Sequence, residues 1–216
     1  MVVDFERGFV FVHIPKTGGT SVQAALRPGA LPRFRKLRRR LGLPLPAALR
    51  AVAPRGKHES YSDWLAAFAG RTGRPVADAL ALRPICFCRN PYARFASLHR
   101  YLLGAKRRKF PDVPEDLDAF VRAVEDGQAP WLAGLRSLRS QSSFIEGAAD
   151  PLIGRFETLE EDFRRIAVGF GITSGLRHRN RSGPSDTPLS PRSRAWLAER
   201  YREDFDRFGY DPTAPG

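Results

Sequence analysis

The stretch "FVHIPKTGGTS", Phe11 to Ser21, governs how the rest of the chain is read. It completes an apolar run that begins at Gly8 and carries Phe9, Val10, Phe11, Val12 and Ile14. A run of that kind, with no polar alternation, predicts an interior strand of a parallel sheet covered on both faces. Pro15 ends the strand because it has no N–H for a ladder. Gly18 and Gly19 let the backbone turn tightly or approach a ligand. From Thr20 onward, the spacing of Val22, Ala25 and Leu26 predicts a helix. A strand, a small-residue loop and a helix N-terminus together make an anion site, to which Lys16 adds a full charge. The plainer alternative is an ordinary strand–turn–helix link with a solvated lysine.

This loop is not the nucleoside-triphosphate P-loop, where lysine follows the glycines and a hydroxyl for magnesium stands directly behind it. Here Lys16 precedes both glycines. Further along, Leu82 to Cys88 predicts a second buried strand, and Asn90-Pro91 an N-cap and first-turn proline opening a helix through Phe95, Leu98 and Leu102. Other helices are expected from Ser60 or Ser62 through Trp64 and Phe68 to a stop at Gly70, and from Pro114 through Phe120 and Val124. Trp131 to Leu138, Leu159 to Phe170, and a last helix opened by Ser190-Pro191 complete the helical set. Leu152 to Phe156 reads as a short strand. Strands alternating with helices predict an α/β fold with a central, mainly parallel sheet flanked by helices. Ligands in such folds bind beyond the C-terminal ends of the strands, where Lys16 and Arg89 both fall.

With 216 residues and no interdomain linker, a single domain spanning residues 1–216 is expected, with Pro28 to Lys57 as a basic insertion rich in proline and arginine. A net charge of +13 points to anionic partners. "RFRKLRRR" (Arg33 to Arg40) holds six basic residues in eight, and "KRRK" (Lys106 to Lys109) adds four. Nucleic acid is therefore a rival ligand, although no zinc-finger, basic-zipper or ribonucleoprotein pattern accompanies these runs. Cys86 and Cys88 lie on one face of a strand and read as buried reduced thiols rather than a disulfide or zinc ligands. No apolar stretch approaches the ~18–20 residues of a membrane helix, and no signal pattern opens the chain.

Taken with a second motif, "CRNPYARFASLHRY" (Cys88 to Tyr101), the first loop resembles the donor site of sulfotransferases that use 3′-phosphoadenosine 5′-phosphosulfate (PAPS), particularly the carbohydrate-type and bacterial branch. "KHESYSDW", "RFETLEEDF", "HRNRS" and "ERYREDFDRFGY" are similar to later family elements, so the resemblance spans nearly the whole chain. It implies a three-layer P-loop-like fold and a cytoplasmic, bacterial enzyme, since the Golgi members carry a membrane anchor. It implies transfer of a sulfuryl group to an acceptor hydroxyl or amine, leaving adenosine 3′,5′-bisphosphate, with no metal required. The family branch favours a saccharide or glycolipid, and the basic insertion suggests an acceptor that already carries negative charge.

The residue roles implied are these. Lys16 neutralises the leaving phosphate while Thr17, Gly18, Gly19, Thr20 and Ser21 cradle the 5′-phosphosulfate. Arg89 and Ser97 hold the 3′-phosphate, a pairing that suits a forked guanidinium and a small hydroxyl donor. Asn180, Arg181 and Ser182 lie at or over the cofactor. His58 is the expected general base because its ordinary pKa lies near neutrality, with Glu59 as runner-up. His13 and Glu157 read as structural, His99 and His178 rank below His58, and Gln141 with the basic insertion is assigned to the acceptor side. Peripheral membrane contact is left open, and nucleic acid is disfavoured. The rivals are a nucleic-acid or acidic-glycan binding module on a degenerate nucleotide fold, and a nucleotide or sugar kinase.

Overall fold

The computed structural model describes residues 1–26, 58–104, 110–132, 134–176 and 189–214. The basic runs at 33–40 and 106–109, the whole 28–57 insertion, His178 and the Asn180–Ser182 stretch lie outside these residues. The chain forms two compact units, each assembled from separate stretches of sequence.

The first unit comprises the described residues of Met1–Ile14, Gly18–Phe87 and Phe144–Arg179. Its sheet has four strands in the order β1 (Val2–Asp4), β2 (Phe9–Phe11), β3 (Arg83–Cys88) and β4 (Leu152–Arg155). β2 and β3 run parallel, with Phe9 opposite Arg83 and Phe11 opposite Ile85. The pairing continues past β2, where Val12 N–H donates to Ile85 O at 2.8 Å. β1 is antiparallel to β2, an edge that the sequence pattern does not reveal. Phe9, Val10 and Phe11 are all buried, as an interior strand requires. Helices α1 (Gly19–Leu26) and α6 (Leu159–Gly169) bring Val22, Leu26, Phe163 and Ile166 onto Phe9, Phe11, Ile85 and Phe87. Between α1 and β3 in sequence come α2 (Tyr61–Thr72) and the short α3 (Val76–Leu80).

The second unit, from the described residues of Pro15–Thr17, Cys88–Ser143 and Asn180–Gly216, is built of α4 (Pro91–Leu103), α5 (Leu117–Asp126), α7 (Pro191–Arg200) and α8 (Arg202–Phe208). Its core is strongly aromatic. Phe120 stacks on Trp131 with centroids 5.4 Å apart and meets Phe95 at 5.0 Å, while Tyr92 packs on Phe205 at 5.0 Å. Truncating a fully buried ring such as Phe120 to alanine would cost about 3–5 kcal/mol. Asn90 caps α4 by accepting the N–H groups of Tyr92 (2.9 Å) and Ala93 (3.3 Å), with Pro91 in the first turn. The start of α7 is tied to α5, because Asp118 accepts both the N–H and the hydroxyl of Ser190. Burial alone would raise the Asp118 pKa, but the donors at Ser193 and Ser190 outweigh it and hold the group below its ordinary value.

Several sequence expectations need correction. α2 continues through Gly70 and stops at Gly73, whose φ of 71° is the left-handed conformation a C-cap needs. Gly70 is exposed within the helix and has no such turn to make. α5 is capped by Asp116, whose carboxylate accepts Ala119 N–H at 2.7 Å, and begins after Pro114 rather than at it. Trp131 to Leu138 is not one helix but two short 3₁₀ turns, Pro130–Leu132 and Arg136–Leu138, with a positive-φ Gly134 between them. The last helix breaks at Tyr201 into α7 and α8, so that Tyr201, Phe205 and Leu197 can all enter the core.

Candidate active site

The loop after β2 has a backbone that its sequence only half announces. Lys16 has φ 69° and Gly18 has φ 74°, whereas Thr17 is not in the positive region. The left-handed region costs a residue with a side chain roughly 1–2 kcal/mol. Such strain in a lysine is an observation from which function can be inferred. Alternation of the sign of φ turns successive N–H groups toward one side and makes an anion-binding concavity. Gly18 is also confined sterically, since a Cβ there would approach Leu159 Cδ2 to 2.9 Å. Gly19 is required for another reason: a Cβ would lie 2.2 Å from His13 Cδ2. The two glycines are therefore needed independently, one for conformation and one for the imidazole packed upon it.

In the second unit, the Lys16 ammonium sits 4.3 Å from the centroid of the Tyr101 ring, a cation–π contact. Ser97 lies one turn earlier on the same helix and is buried. Arg89 follows the last residue of β3, and its Nη1 makes a long 3.5 Å contact with the Lys16 carbonyl. The structure thus brings Lys16, Arg89 and the Ser97 helix face together in that unit. Arg89 is itself clamped. Gln141 Oε1 accepts the Arg89 N–H at 2.9 Å, and Gln141 Nε2 donates to the Arg89 carbonyl at 2.8 Å. Gln141 is wholly buried, and its own N–H donates to Asp204 at 2.7 Å. Its expected acceptor-side role is therefore corrected: the side chain is spent on the Arg89 backbone.

In the first unit, His58 is half-buried and its Nδ1 lies 3.1 Å from the His13 carbonyl oxygen. A carbonyl can only accept, so Nδ1 carries the proton, and in the neutral ring Nε2 carries the lone pair. That tautomer is the one a general base needs. The two imidazoles meet edge to face with centroids 4.7 Å apart. Glu59 is placed quite differently. Both of its oxygens accept from Arg71, at 2.5 and 3.1 Å, and the pair is nearly buried. The hydrogen bond to Glu59 raises the Arg71 pKa above its ordinary value. Thr17 and Ser21 are buried, Thr20 is half-buried, and the Ser21 N–H is used by the Gly18 carbonyl at 2.9 Å. The Ser21 amide is thus taken up inside the turn that opens α1.

His99 is buried and stacked on Phe120, with Nε2 2.7 Å from the Pro114 carbonyl. Glu157 stands exposed in the turn after β4. The aspartate of "RFETLEEDF" has a structural part to play. Asp162 accepts the Arg155 N–H, the Thr158 hydroxyl and Arg165, fastening the end of β4 to α6. Burial opposes ionisation there, but these three donors hold its pKa below the ordinary carboxylate range.

Sequence reasoning missed Arg94 and Asp204. Arg94 is the lone charge between Pro91 and Leu98, a stretch whose other positions are almost all buried. Asp204 falls on the apolar stripe of Tyr201, Phe205 and Phe208. In each case a charge on an apolar face was the available signal. Gln141 gave none, because its partners lie 52 and 63 residues away.

The described residues form a mixed α/β chain in which Lys16 and Gly18, both with positive φ, lie between a buried strand and the start of a helix. The protein-family model for the sulfotransferase family matches residues 1–211, and the chain belongs to that family. Neither a curated protein nor a solved structure gives a significant match. Among the described residues, no helix is long and apolar enough to cross a membrane.

Proposed function

We propose that the protein transfers a sulfuryl group from PAPS to an acceptor hydroxyl, that of a saccharide or glycolipid, as a single cytoplasmic domain of the three-layer, P-loop-like type. The observation that carries this reading is the loop at Lys16. A left-handed lysine and a left-handed glycine flank Thr17 directly before a helix N-terminus, which suits an oxyanion ligand.

In the proposed reaction the acceptor oxygen attacks sulfur in line. The bond from sulfur to the bridging phosphate oxygen breaks, and its electron pair leaves with adenosine 3′,5′-bisphosphate. Lys16 and the loop N–H groups neutralise that leaving oxygen, a task that metal ions perform in many phosphoryl transfers. His58 Nε2 takes the acceptor proton. Glu59 is a poorer seat for it, because Arg71 already occupies both of its oxygens. Arg89 and Ser97 hold the 3′-phosphate, and Asn180, Arg181 and Ser182 are proposed to lie against the cofactor.

Calorimetry with adenosine 3′,5′-bisphosphate against ATP–magnesium tests the donor assignment. Binding of the bisphosphate alone is expected. Preference for ATP–magnesium would turn the reading to a kinase, and binding of neither to an anion-binding module. Lys16→Ala should fold normally and lose about 10²–10³ in turnover, as the loss of a preorganised charge stabiliser does. Normal sulfate transfer by that variant would remove Lys16 from the mechanism.

A further inference from the structure

Arg94 is 3% exposed, and all three acceptors of its guanidinium are main-chain carbonyls. Nε donates to Pro15 O at 3.1 Å, and Nη2 donates to Ser137 O at 2.9 Å and to Arg139 O at 3.0 Å. Burying a cation costs several kcal/mol even after relaxation, and a leucine or methionine would fill this helix position without that cost. The placement therefore calls for something that only a fixed fork of donors can do.

Its consequence follows from peptide geometry. A trans peptide is planar, with its C=O and N–H pointing in opposite directions. Drawing the Pro15 carbonyl onto Arg94 turns the Lys16 N–H away from Arg94. The next carbonyl, that of Lys16, faces Arg89 at 3.5 Å, which turns the Thr17 N–H away in the same manner. The positive φ of Lys16 is the joint between these two peptides. We propose that Arg94 is a positioning residue for the donor: it fixes the direction of the amide groups at Lys16 and Thr17 and thereby prepares the loop for the 5′-phosphosulfate. This rests on reading the Lys16 loop as the donor site. Arg94 touches neither donor nor acceptor in this role; it acts through the loop backbone. Burial pushes its own pKa down, an effect that the nearby Asp204 carboxylate opposes.

The signature differs from that of Arg89. Arg94→Gln should lose about tenfold or more in affinity for adenosine 3′,5′-bisphosphate and for adenosine 5′-monophosphate alike, because both present a 5′-phosphate. Arg89→Ala should lose affinity only for the ligand carrying a 3′-phosphate. A loss confined to the bisphosphate in Arg94→Gln would overturn the inference, as would undiminished affinity for both. If Arg94→Gln does not fold, Arg94→Lys, which keeps the charge but can reach fewer carbonyls, carries the same measurement. The ¹⁵N–¹H resonances of Lys16 and Thr17 in the ligand-free protein supply a second readout. They should shift in Arg94→Lys, and unchanged resonances would overturn the role. A wild-type protein that binds neither nucleotide would sink the donor-site reading instead, and the amide resonances would still decide whether Arg94 orients the loop.

Discussion

The two units bury an acid and an arginine in opposite ways. In the first, Glu59 and Arg71 meet directly, two oxygens on two nitrogens, and neutralise one another. In the second, Asp204 and Arg94 are more deeply buried, yet each takes main-chain partners. Asp204 accepts the N–H groups of Gln141 and Ser142, while Arg94 donates to three carbonyls. A direct pair neutralises two charges and ties Glu59, just before α2, to that helix. Separated charges satisfy backbone groups of irregular segments that no sheet or helix provides for. Loops carrying ligand groups need that second arrangement, since their peptides must hold one direction without a ladder.

The sharpest way to break the contrast is Asp204→Ala. It strands two buried N–H groups and leaves the Arg94 charge without its nearby counter-charge, so a loss of about 3–5 kcal/mol is expected in chemical denaturation. Retention of nearly all stability would mean the backbone is held by other means. Gln141→Leu comes next. It removes both bonds to the Arg89 backbone, and about 2–3 kcal/mol should disappear. The preference for adenosine 3′,5′-bisphosphate over the 5′-monophosphate should narrow as Arg89 loses its seat. An unchanged preference would show that Arg89 needs no clamp.

Glu59→Gln should be milder, at about 1–2 kcal/mol, because glutamine keeps one acceptor for Arg71. Sulfate transfer should remain within about threefold of normal, as a residue outside the chemistry allows. A collapse of turnover in the folded variant would instead hand the base role to Glu59.

The smallest effect concerns acid. Burial lowers the His99 pKa, and its bond to Pro114 only partly restores it. Below the ordinary histidine value of about 6.5 the unfolded chain binds the extra proton and the folded chain resists it. Stability should therefore rise with pH up to about 6.5 and decline as the solution is acidified below that. His99→Phe should flatten this slope in pH-dependent unfolding. A slope that persists unaltered would assign the acid sensitivity elsewhere.

What could be read along the chain was local. Asn90-Pro91 announced α4 because a cap and a fixed φ act within three residues. The β2 run announced a buried parallel strand because its composition reports burial on both faces. Gly70 and Gly73 are both glycines near a helix end, and only the backbone tells which turns left-handed. Trp131 to Leu138 carried a helical spacing, but its positive-φ Gly134 and its aromatic anchor suit two separate turns. The edge strand β1 is three residues long and half-buried, too short for any periodicity to register.

By itself the sequence determined the α/β class, the strand–loop–helix at Lys16, the order of the two basic motifs and hence the sulfotransferase family, because these depend on near neighbours and on residue type. Tertiary structure alone decided which of the candidate side chains remain available for chemistry. Arg71 takes up Glu59 from 12 residues away, His13 sets the tautomer of His58 from 45, and Gln141 is consumed by Arg89 across 52. A hydrogen bond depends on distance in space and takes no account of separation along the chain, so only the folded backbone could assign those partners.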